Sequence, residues 1–294
     1  MILVTGATGS NGAELTKVFA SRGVAVRAMV RSPDKAKGIA ALPGVEVVAG
    51  DFDDAASVER ALRGVERAFL LTDSTERAEA RQLGFVRAAR GTGLERIVKL
   101  SQFAADETSP VRFLRYHAAV ERAVRESGIA WTFLRPNLFV QGLLAFRAPI
   151  ASEGRFFAAA GGARISVVDV RDNAAAAAAA LTEPGHEGRT YDLTGPEALT
   201  HAEMAASLSD ALGRAVAFVD VPPEAMLKAL LGAGLPPWQA DGLIEDYAHY
   251  RRGEASVVAP GVREATGREP RAFSAFARDY ASAFSAGPRE PPSA

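Results

Sequence analysis

The sequence predicts an α/β protein with a doubly wound parallel sheet, followed by a smaller, mainly helical C-terminal lobe. Short apolar runs alternate with helical periodicity up to Pro136, which is the pattern of a parallel sheet covered on both faces. A glycine-rich turn, "VTGATGSNG", joins the first apolar run to the first helical segment. Hydrophobic residues make up 48% of the 294 residues and charged residues 23%, which is typical of a globular chain with a large buried core.

Six strands and four helices are predicted before residue 137. The strands lie in "MILVTG", "VAVRAMVR", "VEVVAGD", "RAFLLT", "RIVKLS" and "AWTFLRP", and three of the helices in "GAELTKVFASRG", "AASVERALRG" and "RAEARQLGFVRAARGTG". The fourth helix covers residues 111–127, because Ser109 is a candidate N-cap, Pro110 suits the first turn and Gly128 follows the end.

The remaining chain divides into the end of the sheet and a C-terminal lobe. A seventh strand is predicted in "ISVVDV", a tightly packed helix in "RDNAAAAAAAL" and a last strand in "RTYDLTG". From about residue 196 the chain reads as helices joined by proline-rich segments. We therefore predict a dinucleotide-binding domain over 1–195, with 136–165 contributing to the substrate pocket, a substrate lobe over 196–285, and a disordered tail over 286–294.

Composition excludes several classes of function. The net charge of −1 gives no electrostatic case for binding nucleic acid, which would need a basic patch. The chain has no cysteine, which excludes disulfides, thiolate catalysis and cysteine-bound metals. No apolar run reaches the roughly 18 residues that a membrane span needs. A strand close to Met1 leads us to expect no signal peptide, and therefore a cytoplasmic protein. We also expect no metal site and no binding to membranes.

The glycine-rich turn has the form of a dinucleotide site. Gly6, Gly9 and Gly12 follow a strand and open a helix. In a Rossmann fold such glycines permit the tight turn, the approach of backbone N–H groups to the pyrophosphate, and close packing of helix on strand. The helix N-terminus then offers free donors to the phosphates. We also assign to this site the residues between the glycines, namely Thr8, Ser10 and Asn11.

The end of the second strand indicates which dinucleotide is bound. An NAD site places an acidic residue here to bind the ribose 2′-hydroxyl. This chain has Arg31, followed by Ser32, in "MVRSPDK", and an arginine suits a 2′-phosphate. NADPH is therefore the predicted cofactor. Asp34 lies close enough to Arg31 in the sequence to leave NADH open as the cofactor. The alternative for Arg31 is a solvated surface arginine.

Loops after the other strands should also line the cofactor. "GDFDD" places Asp51 and Phe52 near the adenine, although Asp51 is equally suited to cap the next helix. Three residues of "LLTDS" and two of "KLSQFA" fall along the ribose, the pyrophosphate and the nicotinamide: Leu71, Thr72, Asp73, Ser101 and Gln102.

Several motifs together carry a family resemblance. "ILVTGATGSNG", "AMVRSPDKA", "GDFDD", "ALRGVERAFLLT", "IVKLSQFAAD", "HAAVERAVRESGIAWTFLRPNLF" and "VVDVRDNA" resemble the NmrA-like branch of the atypical short-chain dehydrogenase/reductase family over most of residues 1–195. That branch includes NADPH-dependent quinone and triphenylmethane-dye reductases, the isoflavone-reductase type, and redox-sensing regulators. The resemblance implies an extended Rossmann domain, a smaller substrate lobe and NADPH.

The helix "FLRYHAAVERAVRESG" contains the candidate catalytic residue. Typical members of the wider family carry a tyrosine with a lysine four residues later. Here the residue four positions after Tyr116 is Val120. The resemblance implies that His117 occupies the catalytic position. We expect Glu121, four residues on, to orient the imidazole and raise its pKa. We expect Tyr116 to point away, toward packing or solvent. A structural histidine is the alternative for His117.

The segment after the sixth strand supplies the predicted acceptor pocket. Pro136 and Asn137 in "LRPNLF" are expected beside the nicotinamide. An apolar wall that suits a flat substrate is expected from Phe139, Leu143 and Phe146, with Phe156, Phe157, Trp238 and Tyr247 as further candidates that suit the core equally well.

Three functions are compatible with these residues. The first is an NADPH-dependent reductase that transfers a hydride to a small aromatic or quinone-like acceptor, acting as a monomer or homodimer. The second is a non-catalytic NADP(H)-binding redox sensor. The third, a nucleotide-sugar epimerase or dehydratase, is disfavoured by the missing tyrosine–lysine pair. A roofed, apolar pocket over the nicotinamide favours the first function, and an open or filled one favours the second.

Overall fold

A computed structural model describes residues 1–285, and the predicted tail over 286–294 lies outside the described residues. The α/β fold class is confirmed by a parallel sheet of seven strands in the order β3-β2-β1-β4-β5-β6-β8. The strands are β1 (Ile2–Val4), β2 (Val26–Val30), β3 (Val45–Ala49), β4 (Arg67–Leu70), β5 (Arg96–Leu100), β6 (Ala130–Pro136) and β8 (Arg189–Leu193). Two more strands, β7 (Arg155–Ala158) and β9 (Ala217–Asp220), pair in parallel as a small second sheet.

Helices cover both faces of the large sheet, as the sequence predicts. Within residues 1–285 they are α1 (Ser10–Ser21), α2 (Lys37–Ala40), α3 (Ala55–Leu62), α4 (Ala78–Ala89), α5 (Arg112–Arg125), α6 (Arg147–Glu153), α7 (Val170–Thr182), α8 (His201–Leu212), α9 (Pro223–Gly232), α10 (Pro237–Arg251), α11 (Gly261–Thr266) and α12 (Phe273–Asp279). Short 3₁₀ helices occur at Pro33–Ala36, Val140–Phe146 and Ala281–Phe284. None of the helices within the described range is long and apolar enough to span a membrane.

Alternate residues of each strand enter different hydrophobic cores, because successive side chains of a strand point to opposite faces. On one face, Ile2 and Val4 pack with α1, α7 and α11. On the other face, Leu3 packs with α3, α4 and α5. The alanine-rich helix α7 is buried over Ala176–Ala180, and its small side chains allow close packing against α1. The prediction of a tightly packed helix is therefore confirmed.

The chain after β6 differs from the sequence prediction in three places. The segment "ISVVDV" makes only isolated bridges, through Ile165 and Val168, and it ends where the Asp169 side chain caps α7. It is therefore not a strand. The strands β7 and β9 are unpredicted, because short strands that pair across sixty residues leave little local signal. One of the helices predicted after residue 196, in "RAFSAFARDYASAF", is divided into α12 and a 3₁₀ turn.

The chain crosses the predicted domain boundary at residue 195 more than once. Strand β7 lies before the boundary and β9 after it, yet they pair. Helix α11 returns from the C-terminal part to pack on β8 and α7. A third hydrophobic core is built from both sides of the boundary, with Phe156 and Ile165 from before it and residues of α8, α10 and α12 from after it. The division into 1–195 and 196–285 stays a prediction.

Helix α10 is held over the N-terminal end of α5. The Arg112 guanidinium donates to the Glu245 carboxylate at 2.7 Å and to the carbonyl of Trp238 at 2.9 Å. Gly242 lies against the Phe113 ring, so closely that an added Cβ would come within 2.3 Å of it. These contacts fix α10 above the carboxyl edge of the large sheet.

The contact between α1 and the glycine turn leads to the first testable prediction. A Cβ on Gly12 would lie 2.2 Å from the carbonyl oxygen of Gly6, and the backbone must shift to accept it. We expect Gly12→Ala to lower the free energy of unfolding by about 1–3 kcal/mol, the usual cost of overpacking. Urea unfolding of the cofactor-free protein measures this difference. The matched control is Gly38→Ala in α2, where an added Cβ meets nothing within 4 Å. We expect that change to be neutral or stabilising by up to about 1 kcal/mol, and equal effects of the two substitutions would contradict the packing argument.

Candidate active site

A cavity of about 620 Å³ opens at the carboxyl ends of β1, β2, β4, β5 and β6, where doubly wound sheets bind their ligands. Helix α10 forms its roof. The lining includes most of the predicted cofactor residues: Gly6, Thr8, Gly9, Ser10, Asn11, Arg31, Asp51, Phe52, Leu71, Thr72, Asp73, Ser101, Gln102, Pro136 and Asn137.

The glycine turn leaves the N-terminus of α1 open to this cavity. Gly6 has a φ of +61°, a conformation that glycine adopts without strain. The Gly9 N–H donates to the Gly6 carbonyl at 3.0 Å, which closes the turn. Gly9 is the N-cap, no side chain caps the helix, and its first turn has no acidic residue. Gly12 does not line the cavity, and instead lets the helix pack on the turn, as predicted for the third glycine.

Arg31 lies at the rim of the cavity, at the end of β2. Its side chain is 68% exposed, with one guanidinium nitrogen 3.9 Å from the Asp73 carboxylate. An exposed guanidinium is available to a phosphate group. Ser32 does not line the cavity, and Asp34 is exposed within the following 3₁₀ helix. No acidic residue therefore takes the place of Arg31 at the strand end.

The loop after β3 meets the loop after β4 at the same edge. Asp51 lines the cavity, and the N-cap of α3 is Asp54, which accepts from the Ala56 N–H at 3.1 Å. The alternative that Asp51 caps this helix is therefore wrong. Arg81 joins the two loops, with guanidinium hydrogen bonds to Asp53 at 2.7 Å and to Asp73 at 3.3 Å.

At the inner end of the cavity, the Asn137 side chain makes hydrogen bonds to distant segments of the chain. Its side-chain amide donates to the Ser166 hydroxyl and to the Ala255 carbonyl, both at 2.9 Å. It thereby joins the end of β6 to the C-terminal part. Phe139 lines the cavity beside it, as the sequence predicts.

The other predicted wall residues lie elsewhere. Leu143 and Phe146 belong to the 3₁₀ helix after β6, and they pack into the third hydrophobic core. Phe146 contacts Phe156 there, with ring centroids 6.1 Å apart. Their assignment to the substrate pocket is corrected, because the chain turns toward β7 after Phe139. The further candidates Phe156, Phe157, Trp238 and Tyr247 do not line the cavity either.

Tyr116 and His117 both line the cavity, although we expected neighbours on a helix to point apart. Their ring centroids are 4.1 Å apart, and the cavity extends along this side of α5. The Tyr116 hydroxyl lies 3.1 Å from the Ser74 hydroxyl. Burial raises the pKa of Tyr116 well above its usual value. Tyr116 is therefore a cavity residue that stays neutral, rather than the outward-facing side chain expected from the sequence.

The partner of His117 is Lys99 rather than Glu121. Lys99 Nζ lies 2.7 Å from His117 Nδ1. Glu121 instead accepts from Ser101 at 2.6 Å and from Arg135 at 2.6 and 2.9 Å. Burial, followed by the nearby charges of Lys99 and Arg135, holds the pKa of His117 well below its usual value. The expected rise in the pKa of this imidazole is therefore wrong, and the ring is neutral at pH 7.

Helix α10 contributes a buried carboxyl that the sequence analysis missed. Asp246 lines the cavity, is 5% exposed, and accepts from the Gln102 side-chain amide at 3.1 Å. Burial raises its pKa to about 7, against the opposing effect of the Gln102 hydrogen bond. His249 and Tyr250 line the cavity from the same helix, and Glu254 accepts from His249 Nδ1. Within residues 1–285, no group of three or more histidine, aspartate and glutamate side chains is placed to hold a metal ion.

Comparison with known proteins shows the family of the chain. The sequence matches the model of the NmrA-like family over residues 1–258. The chain belongs to this family. It is 42% identical over 288 residues to the (4-alkanoyl-5-oxo-2,5-dihydrofuran-3-yl)methyl phosphate reductase of Streptomyces griseus, covering 97% of this chain and 99% of that protein. It is 37% identical over 286 residues to the NAD(P)H azoreductase of Xenophilus azovorans, covering 97% and 100%.

Solved structures of similar proteins have the same fold. The NADPH-dependent quinone oxidoreductase of Escherichia coli, complexed with NADPH, is similar with a TM-score of 0.84 and 30% identity, over 95% of this chain and 99% of that chain. The triphenylmethane reductase of a Citrobacter species, complexed with NADP(H), gives a TM-score of 0.83 and 29% identity, over 96% and 100%. NmrA, a negative transcriptional regulator complexed with NADP, gives 0.76 and 20% identity, over 95% and 94%, which shows a common fold alone.

The buried Asp246 carboxyl leads to a prediction about stability and pH. A pKa raised on folding means that the neutral form is favoured in the native state, so stability is fully present below about pH 4 and is lost as the pH rises through about 7. We expect Asp246→Asn to gain stability over the wild type between these values, at up to about 1.4 kcal/mol for each pH unit. Urea unfolding at several pH values measures the gain. Asp241→Asn, which changes an exposed carboxylate on the same helix, is the control and should show no such trend. A gain for Asp246→Asn that does not change with pH would contradict the prediction.

Proposed function

We propose that this chain is an NADPH-dependent reductase that transfers a hydride to a small aromatic or quinone-like acceptor. The observation that supports this most strongly is one continuous cavity. It begins at the open N-terminus of α1 and ends at Tyr116 and His117 beneath helix α10. The relatives reported above are reductases by name, and two of the similar structures were solved with NADPH or NADP(H).

The residues present fit NADPH. The Gly6–Gly9 turn and the uncapped start of α1 supply backbone N–H donors to a pyrophosphate. Arg31 supplies an exposed guanidinium for the 2′-phosphate. Asp51 and Phe52 line the cavity after β3, the strand next to β2 on the side away from β1, where the adenine would lie. Ser101, Gln102 and Pro136 line the inner end, where the nicotinamide would lie.

The roof over the inner end favours an enzyme over a sensor. Leu243, Asp246 and Tyr250 of α10 close the cavity above His117. This arrangement gives a small acceptor a place to stack against the cofactor. A sensor needs no such space. The regulator of this family is also more distant from this chain than the reductases are.

The mechanism that we propose needs little from the protein besides position and one hydrogen-bond donor. When bound, NADPH supplies the hydride. An acceptor with a carbonyl group gains negative charge on oxygen, which a donor in a dry site stabilises strongly. His117 is neutral at pH 7 because of burial, so a neutral imidazole N–H is its available donor. Tyr116 shapes the cavity beside it.

The finer properties of this function are also proposals. We infer a flat apolar acceptor from Phe139, Leu243 and Tyr250 in the cavity lining. We expect a cytoplasmic protein that acts as a monomer or a homodimer.

Turnover with a panel of acceptors tests the proposed function. We expect the purified chain to oxidise NADPH, followed by absorbance, when quinones, azo dyes or triphenylmethane dyes are added. We expect His117→Ala to keep NADPH binding and to lose about tenfold or more in kcat with quinones, because the donor to the developing charge is removed. Saturable NADPH binding without reduction of any acceptor would instead support the redox sensor. Unchanged quinone turnover in His117→Ala would remove the role of His117 alone.

Cofactor choice tests the role of Arg31. A charge-assisted hydrogen bond contributes about 1.5–3 kcal/mol. We therefore expect Arg31→Ala to weaken NADPH binding by about 10- to 100-fold, and to leave NADH binding unchanged. Fluorescence titration with both coenzymes measures the ratio. Arg22→Ala, an exposed change at the far end of α1, is the control. Equal losses for the two coenzymes in Arg31→Ala would contradict the assignment.

A further inference from the structure

Lys99 is a buried charged group that the proposed mechanism does not use. It lies on β5, inside the sheet between β4 and β6, with Ile97, Val98 and Leu100 as neighbours on the strand. Its side chain is fully buried. Burying an ammonium is unfavourable unless it is well paired, and an apolar residue would suit the site better for stability. The polar partners of Nζ are His117 Nδ1 at 2.7 Å and the Leu100 carbonyl at 3.2 Å.

Among the described residues, Lys99 forms no salt bridge with a carboxylate. Glu121 attracts it from α5, but this carboxylate is bonded to Arg135 of β6, Arg125 of α5 and Ser101. Arg135 repels both Lys99 and His117. Among the residues that line the cavity, Tyr116 and Asp246 are both held toward their neutral forms by burial. His117 is therefore the side chain that receives the Lys99 hydrogen bond.

We propose that Lys99 is a positioning residue that sets the tautomer of His117 and passes a proton through it to the reduced acceptor. The proposal rests on the reductase function given above. A lysine ammonium has donors and no acceptor, so Nδ1 must accept and the ring proton lies on Nε2. Among the described residues, Nε2 has no hydrogen-bond partner. The Nε2–H is thus available to an acceptor in the cavity that His117 lines.

The proton and electron balance of the step is complete. The acceptor takes the hydride, so it is reduced by two electrons while NADPH is oxidised to NADP⁺. An anionic oxygen on the acceptor then takes the Nε2 proton, and the O–H bond forms as the N–H bond breaks. Nδ1 takes a proton from Lys99 at the same time. The imidazole ends as its other neutral tautomer and Lys99 ends as an amine. The pair is reset when Nε2, on the ring that lines the cavity, takes a proton from solvent and the Nδ1 proton returns to Lys99.

The protonation states of the pair suit this transfer near neutral pH. Burial lowers the pKa of Lys99 to about 7, which makes its ammonium a far better proton donor than an ordinary lysine. The same burial keeps His117 from becoming an imidazolium. As the pH rises through about 7, Lys99 loses its proton, and acceptors that need a proton should then react more slowly.

Two types of acceptor separate this role from a structural one. A quinone leaves an anionic oxygen after hydride transfer and needs a proton. A cationic triphenylmethane dye becomes neutral on hydride transfer and needs none. Single-turnover rates are measured by stopped flow with NADPH-loaded protein. We expect the wild-type quinone rate to fall above about pH 7 and the dye rate to stay level.

Two substitutions at Lys99 then distinguish orientation from proton supply. Lys99→Met removes both, and we expect the quinone rate to fall about 10- to 100-fold while the dye rate changes less than about twofold. Lys99→Gln keeps a donor to Nδ1. We therefore expect the apparent affinity for quinone, taken from the dependence of the single-turnover rate on quinone concentration, to stay unchanged, and the fall in rate above neutral pH to be lost. Lys17→Met, at an exposed lysine of α1, is the control. Thermal unfolding of each variant verifies folding.

The outcomes separate this inference from the proposed function. Equal losses with quinone and dye in Lys99→Met, or an unchanged pH profile in Lys99→Gln, would overturn the role of Lys99 and leave the reductase intact. Wild-type protein that binds NADPH but reduces neither acceptor would overturn the function and the proton transfer with it. The tautomer has its own test. Nitrogen NMR of the imidazole should show the Nε2–H form in the wild type at about pH 6 and lose that preference in Lys99→Met. An Nδ1–H form in the wild type would overturn the tautomer assignment.

Discussion

The close contact between Gly12 and the carbonyl of Gly6 is the constraint on which the site depends. It allows α1 to start directly at the end of β1, with no side chain between the helix and the turn. The donors of the first helical turn then face the carboxyl edge of the sheet instead of a capping residue. Helix α7, made of small residues, packs against α1 from the other side and holds it there. The proposed anion site is therefore a consequence of backbone packing, and the proposal needs no cationic side chain at the pyrophosphate.

Desolvation determines the chemistry at the inner end of the cavity. Burial lowers the pKa of Lys99 and of His117, and it raises the pKa of Asp246. These are opposite directions with one cause, because burial disfavours the charged form of any group. Near neutral pH this end of the cavity therefore holds neutral groups, or groups close to losing their charge. Such a site suits an uncharged or weakly polar acceptor and lets small proton movements accompany hydride transfer. Glu121 and Arg135 keep their charges because each has the other as a partner.

Local sequence patterns predicted the sheet and the glycine turn, while contacts between distant segments could not be predicted from the sequence. The alternation of strands and helices, the glycine turn and Arg31 are each encoded within about 30 residues, as in any Rossmann unit. Lys99 and Asp246 are not, because their roles depend on how β5 and α10 meet α5. In the sequence, Lys99 is a charged residue in an apolar strand, and that mismatch was the available signal for it. Phe146 was assigned to the pocket from its apolar character, which describes a core residue equally well, and only the turn after β6 decides between the two.

Calorimetric titration of the purified chain with NADPH and with NADH tests the turn-and-helix site most directly. The uncapped start of α1 and the guanidinium at the end of β2 together require one NADPH to bind to each chain, with enthalpy that can be measured. They also require NADPH to bind more tightly than NADH, because only NADPH carries the 2′-phosphate. One NADPH per chain with this preference is the predicted result. No detectable association with either coenzyme, or tighter binding of NADH, would contradict the account.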